Sequence, residues 1–199
     1  MGFGPLRVIN DDRLAPGRGF ETHSHRDMEI LSYVVEGSLE HLDSMGHGSV
    51  IRPGDLQIMS AGTGVSHSEF NASPVDGLRF LQIWIVPDEK SLQPSYDQKF
   101  FGDALRDDLN LVASPSGQDG SLKVHQDLNL YASLLSAGQR VDYSVNEQRS
   151  VWLQVVTGEL KVGAETLYEG DGMALSGQQL VEISANTESN FLLFDLKEA

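Results

Sequence analysis

Two short clusters carry the residue types that bind metal ions. His23-Ser24-His25 and His67-Ser68-Glu69 each set two such side chains two positions apart, within residues 19–71. On a β-strand alternate side chains share a face, so His23 and His25 point one way together, as do His67 and Glu69. Two such strands placed opposite each other in a small barrel would aim three imidazoles and one carboxylate at a single point. A lone H-x-H also occurs on solvated strands; its pairing with H-x-E across a stretch punctuated by glycine and proline is what specifies a metal site. The donor set suits a borderline divalent cation, iron(II) first, with manganese, nickel, copper, cobalt and zinc as alternatives. A cation that accepts about six ligands keeps roughly two positions open for a substrate oxygen or dioxygen.

The elements that must position these residues read as strands and turns. Residues 6–10 alternate as a first strand, followed by a turn at Asn10-Asp11-Asp12-Arg13. Residues 29–35 form a strand with Ile30, Leu31, Tyr33 and Val35 available for core, and Gly37 turns the chain back through residues 39–42. Arg52-Pro53-Gly54-Asp55 is a tight turn. Gly62-Thr63-Gly64 is no phosphate cradle, because neither a helix pattern nor a basic residue follows; its glycines let the backbone bend so that His67 and Glu69 reach the cation. Residues 78–86, with Trp84, are core. Residues 91–110 read as an irregular connection with a short helix at 103–110. Three histidines take structural or surface roles: His41 in a strand with a structural hydrogen bond, His47 in a solvated hairpin tip, and His125 alone in the second half.

The second half repeats the first. Val155-Val156-Thr157-Gly158-Glu159-Leu160-Lys161 aligns with Val34-Val35-Glu36-Gly37-Ser38-Leu39-Glu40, and residues 167–176 align with 51–60. A repeat of this size with β character in both copies implies an all-β chain of two similar barrels. The expected division is 1–90 for a metal-binding barrel, 91–120 for a connection packed on the barrels, and 121–199 for a second barrel. Counting from the shared turns places Ser144 and Asn146 opposite His23 and His25, and Ile183 and Ala185 opposite His67 and Glu69. No ligand set survives there, so the first-copy histidines are not what this barrel needs in order to fold.

Composition excludes several functions. The 199 residues carry a formal charge of −15, which disfavours direct contact with nucleic acid or an anionic membrane. There is no cysteine, so disulfides, thiolate sites and cysteine nucleophiles are out. No signal-like or membrane-length apolar run is present, and the expectation is a cytoplasmic monomer.

The motifs His23-Ser24-His25-Arg26-Asp27-Met28-Glu29, Glu40-His41-Leu42-Asp43-Ser44, Pro53-Gly54-Asp55-Leu56-Gln57 and Met59-Ser60-Ala61-Gly62-Thr63-Gly64-Val65-Ser66-His67-Ser68-Glu69 resemble the pirin family of bicupins. The resemblance spans nearly the whole chain. It implies two tandem cupin barrels with a metal site in the N-terminal barrel only, iron as the usual cation, and His23, His25, His67 and Glu69 as its ligands. The wider cupin pattern would take Glu29 as the carboxylate; the H-S-E triplet favours Glu69 and leaves Glu29 as a supporting or solvated residue. Relatives of this type carry roughly thirty residues ahead of this start, so a sheet edge or pocket wall is expected to lie uncovered.

Three functions follow from that resemblance. The first is an iron-dependent dioxygenase that cleaves a flavonol to a depside with release of carbon monoxide, its substrate a small aromatic molecule together with dioxygen, with Glu69 as both weak ligand and base. Phe20, Met28, Met59, Phe70 and Arg26 are candidate pocket residues. The second is a non-catalytic, redox-responsive iron protein that regulates a protein partner. The third is a folded but poorly metallated shell.

Overall fold

A computed structural model describes residues 2–197. The alternating pattern becomes nineteen strands and two 3-10 turns, with no α-helix among the described residues. The chain divides into two compact units, Met1–Gly102 with Leu122–Gln126, and Asp103–Ser121 with Asp127–Ala199. Among the described residues no helix is long and apolar enough to cross a membrane.

The first unit contains β1 (Leu6–Leu14), β2 (Gly19–His25), β3 (Glu29–Glu36), β4 (Leu39–Asp43), β5 (Gly48–Ile51), β6 (Asp55–Ser60), β7 (Val65–Asn71), β8 (Leu78–Ile85) and β9 (Ser95–Phe100). One sheet runs β1-β8-β3-β6-β9 and the other β2-β7-β4-β5. Apolar side chains close both ends of the interior between them. Val34, Leu39, Ile51, Leu78 and Phe80 pack at one end, and Ile30, Met59, Ala61 and Val65 at the other. Alternation on each strand dictates this, since buried apolar area drives the sheets together.

Two local expectations are corrected. The turn at residues 10–13 is instead the continuation of β1, which pairs with β8 as far as Leu14 opposite Leu78. Its charges are compatible with a strand because Asp11 accepts both Nε and Nη2 of Arg79, at 2.9 and 2.6 Å. The connection expected to be irregular supplies β9, paired along β6, and the helix expected at 103–110 is one 3-10 turn, Gly102–Leu105, followed by a strand.

The second unit contains β10 (Asn110–Ser114), β12 (Leu128–Leu135), β13 (Arg140–Ser144), β14 (Arg149–Thr157), β15 (Glu159–Val162), β16 (Glu165–Tyr168), β17 (Gly172–Ser176), β18 (Leu180–Ala185) and β19 (Ser189–Lys197), while the two-residue β11 (Leu122–Lys123) belongs to the first. Its sheets run β10-β12-β19-β14-β17 and β13-β18-β15-β16. An apolar cluster that includes Leu153, Val162, Val181, Ile183 and Leu193 fills its interior.

The two units share a register that residue counting misses. Asn71 N–H donates to the Arg18 carbonyl and Ala72 N–H to that of Ser38; Ala185 and Asn186 make the matching bonds to Gln139 and Glu159. These pairs, with the β13–β18 ladder, place Tyr143, Val145, Val181 and Ile183 where the first unit has His23, His25, His67 and Glu69. The Ser144, Asn146, Ile183 and Ala185 reached by counting are displaced by one or two residues, because the connecting loops differ in length between the copies.

Candidate metal centre

His23 and His67 face each other across the β2–β7 ladder, and His25 lies opposite Val65. The three imidazoles form a compact cluster, with ring centroids 4.5 Å apart for His23–His67, 4.8 Å for His23–His25 and 5.0 Å for His25–His67. Their ligand atoms all lie within 4.8 Å of one another.

A bulge makes this possible. Phe20 pairs with Glu69 and His23 with His67, so three steps on β2 match two on β7. One extra residue on β2 turns His23 and His25 inward; β13 and β18 pair without such a shift. The Glu21 carbonyl within the bulge lies 2.7 Å from His23 Nδ1, which fixes Nδ1 as the protonated nitrogen and leaves Nε2 free to ligate. Gly19 starts the strand because a Cβ there would sit 2.2 Å from the Glu69 carbonyl oxygen. Gly62 turns the chain into β7 with φ +46°, and a Cβ there would meet the Leu92 carbonyl at 2.1 Å. Deleting Thr22 is expected to remove the bulge and rotate His23 and His25 off the shared face. Metal content per chain should then fall close to zero while the far-ultraviolet circular dichroism remains that of a β protein; a variant that keeps full metal content would contradict the bulge's role.

The residues present fit a cation. Both ring nitrogens of His67 and Nε2 of His25 are buried without a hydrogen-bond partner, a costly state for polar atoms unless a ligand completes them. Burial, followed by the neighbouring imidazole His23, lowers His25 to about 4; burial, then the charges of His23, His25 and His41, lowers His67 to about 3. Both rings therefore stay neutral, with lone pairs available, at any ordinary pH.

Glu69 is fully buried one alternation beyond His67. Ser32 Oγ donates to its Oε1 at 3.1 Å and the Gln82 amide donates to its Oε2. Burial pushes its carboxyl up to about 7, against the opposing effect of the Ser32 and Gln82 bonds. Among the groups whose ligand atoms fall within 4.8 Å, Glu69 joins His67 and His41, while His23, His25 and His67 form a separate set that shares His67.

Sequence reading missed the setting of this carboxylate. Gln82, Ser32, Gln57 and Gln98 form one cross-strand row over β8, β3, β6 and β9, and Glu69, His41 and Ser49 form another over β7, β4 and β5. Together they make a polar layer between the two apolar ends of the barrel. The signal was a lone polar residue inside each apolar run: Ser32 after Ile30-Leu31, Gln57 before Ile58-Met59, and Gln82 before Ile83-Trp84. His41 is also more than a strand histidine. Its ring is 5.3 Å from that of His67, its Nε2 lies 3.4 Å from Asp43, and its Nδ1 is buried without a partner.

The remaining sequence candidates are placed differently. Glu29 is buried, and its Oε2 accepts the His125 backbone N–H at 3.2 Å and faces His125 Nδ1 at 3.1 Å, so it is not a solvated residue and joins neither ligand group. Met59 and Met28 belong to the apolar cluster around Ile30, Phe20 is exposed, and Phe70 alternates away from Glu69. Arg26 lines a cleft of roughly 340 Å³ beside His25, with Ser24, Ser44, Val65 and Ser66. His47, expected in a solvated hairpin tip, is exposed there and stacks on Tyr96.

Protein-family models match both halves: "Pirin" over residues 2–85 and "Quercetinase C-terminal cupin domain" over residues 111–196. A curated Escherichia coli (strain K12) protein named quercetin 2,3-dioxygenase is 47% identical over 196 residues, covering 98% of this chain and 84% of that protein. The chain belongs to the pirin family. A pirin-like protein of Caulobacter vibrioides is 34% identical over 197 residues, covering 98% of this chain and 84% of its own. Among solved structures, Escherichia coli YhhW superposes with a TM-score of 0.96 at 46% identity, covering all of this chain and 84% of that one. The bacterial pirin YhhW in complex with nickel(II) gives 0.95 at 45% identity, over all of this chain and 85% of that one. Both barrels of this pirin are thus cupins, and the polar layer and histidine cluster described above lie in the first.

Proposed function

We propose that this pirin is a metal-dependent dioxygenase of the quercetinase type, with iron(II) as its resident cation and a flavonol-like aromatic molecule as substrate. The observation that carries the reading is the cluster of three imidazoles, two of them with orphaned buried nitrogens, next to a buried carboxylate, found where the second barrel has Tyr143, Val145, Val181 and Ile183. The relatives named quercetin 2,3-dioxygenase and the nickel(II) complex of YhhW support it.

His23, His25 and His67 would hold the cation, with Glu69 as a weak fourth ligand. When bound, a divalent transition metal supplies a positive centre that favours the ionised form of an enolic hydroxyl and couples it to dioxygen. The chain's own residues do the rest. Glu69, with a proton affinity near neutrality, accepts the hydroxyl proton, and Ser32 and Gln82 hold the carboxylate in place to do so. The cleft beside His25 is the route by which an aromatic ring reaches the cluster, with Arg26 at its rim. The apolar side chains around Ile30 and Met59 keep bulk water from the inner face.

The test is metal analysis of the purified protein, anaerobic mixing with quercetin, then admission of oxygen. A spectral change on mixing followed by oxygen uptake is the expected result. Metal binding without oxygen uptake on any flavonol would overturn catalysis in favour of a regulatory metal protein. Glu69→Gln should keep the cation and lose turnover by about 10²–10⁴-fold; near-normal turnover in that variant would remove Glu69 as the base.

A further inference from the structure

The polar layer is more than an outer support for the centre. Its counterparts in the second barrel follow from the shared register: Leu153 for Ser32, Leu193 for Gln82, Met173 for Gln57, Val162 for His41 and Ile183 for Glu69. The same fold therefore closes with apolar residues at these five positions, and a barrel of this type has no structural need for polar ones there. In the first barrel the layer is buried and incompletely bonded, with the Gln57 amide and His41 Nδ1 lacking partners. Such a layer disfavours folding, so its retention needs another reason.

Its bonds converge on Glu69. Ser32 occupies one carboxylate oxygen and Gln82 the other. The direction of the Gln82 amide is itself set: Trp84 Nε1–H donates to Gln82 Oε1 at 3.0 Å, which turns the amide nitrogen towards Glu69. Trp84 also stands edge-on to His25, with ring centroids 5.1 Å apart. In this arrangement Glu69 lies outside the three-histidine set.

We propose that Ser32 and Gln82, with Trp84 orienting Gln82, form a latch that competes with the cation for Glu69. The latch keeps the carboxylate beside the three-histidine centre as an intermittent ligand. Two charge-assisted hydrogen bonds in a buried setting are strong enough to contend with a weak carboxylate–metal bond. Ser32, Gln82 and Trp84 are positioning residues: they act through Glu69. This rests on the metal centre proposed above and deepens it, but it predicts a sign that an ordinary supporting role does not. Residues that merely orient a ligand weaken metal binding when removed, by about 10–100-fold. Removing a latch strengthens it.

The test uses the full chain stripped of metal with a chelator and titrated with cobalt(II), without flavonol or oxygen, so failure of the oxygenase reading leaves it standing. Gln82→Leu, the residue the second barrel uses, should bind cobalt(II) about tenfold more tightly, with its visible d–d bands shifted by the added carboxylate. Ser32→Ala should move both readouts the same way and serves as the test if Gln82→Leu does not fold. Trp84→Phe should act in the same direction and add nothing in a Gln82→Leu background, since it works through that amide. In a Glu69→Gln background all three should become silent. Weaker or unchanged cobalt(II) binding in Gln82→Leu and Ser32→Ala, or effects that persist in Glu69→Gln, would overturn the latch. No cobalt(II) binding by the parent chain would overturn both it and the metal centre beneath it.

Discussion

A His67→Val protein is expected to leave purification without its cation and, once both proteins are stripped of metal, to melt at a higher temperature than the parent. His67 is common to both groups of candidate ligands, is almost fully buried, and keeps both ring nitrogens unpartnered. Removing it leaves His23 and His25 with only the weak Glu69 carboxylate, and loss of a direct ligand should cost more than the ~100-fold that loss of an outer partner can reach. Stability without the cation should move the other way. Valine is what the second barrel carries at this register, as Val181, in an interior that is fully packed. Each buried polar atom relieved of an unmet hydrogen bond restores about 1–3 kcal/mol, set against a partial cavity of similar cost. Each net kcal/mol moves a domain of about 100 residues by about 4–8 °C. With metal present the order should reverse, since a cation at a thousand times its dissociation constant adds about 4 kcal/mol to the parent only. Thermal melts of both proteins, with chelator and with added metal, check both halves. A variant that retains stoichiometric metal would remove His67 from the ligand set.

Acid should destabilise the metal-free protein in two stages. His25 and His67 titrate near 4 and 3 in the folded chain against 6.5 when unfolded, so below 6.5 the unfolded chain takes up protons that the folded chain refuses. Their stabilising contribution is complete above 6.5 and is lost as the pH falls towards their folded values. Glu69 behaves oppositely: raised to about 7 from 4.5, it makes the folded chain the better proton binder between those values, and its contribution is present below 4.5 and lost as the pH rises through 7. From 6.5 to 4.5 two histidines are set against one carboxyl, leaving a net loss of about 1.4 kcal/mol per pH unit at most. Below 4.5 the carboxyl drops out and the slope steepens to nearly twice that until His25 titrates. His25 is only half-buried, so solvent screening makes its share the smaller. Metal-loaded protein should show a steeper profile, because the cation holds all three rings neutral in the folded chain while the unfolded chain still takes up protons. Melting temperatures of stripped and loaded protein between pH 4 and 8 test this; a stripped protein whose stability rises on acidification from 6.5 would contradict it.

Both results turn on features of different legibility. The H-x-H and H-x-E pairs could be read directly, because the two-residue period of a strand is local and survives any tertiary context. The same period, seen twice with matching turn glycines, announced two barrels, and the motifs carried the pirin resemblance that the family matches bear out. Strand β1 and strand β9 were harder, since edge strands with one wet face carry polar residues that look like turns and loops.

What the sequence by itself determined was therefore the donor types, their shared faces, the all-β class and the repeat. What only the tertiary structure decided was the bulge that turns His23 and His25 inward, the true counterparts Tyr143, Val145, Val181 and Ile183, and the polar layer that holds Glu69. Facing direction depends on neighbouring residues alone, whereas layers and registers depend on which strands lie side by side and on loop lengths between them. A slip of one residue reverses a face, and nothing along the chain records it.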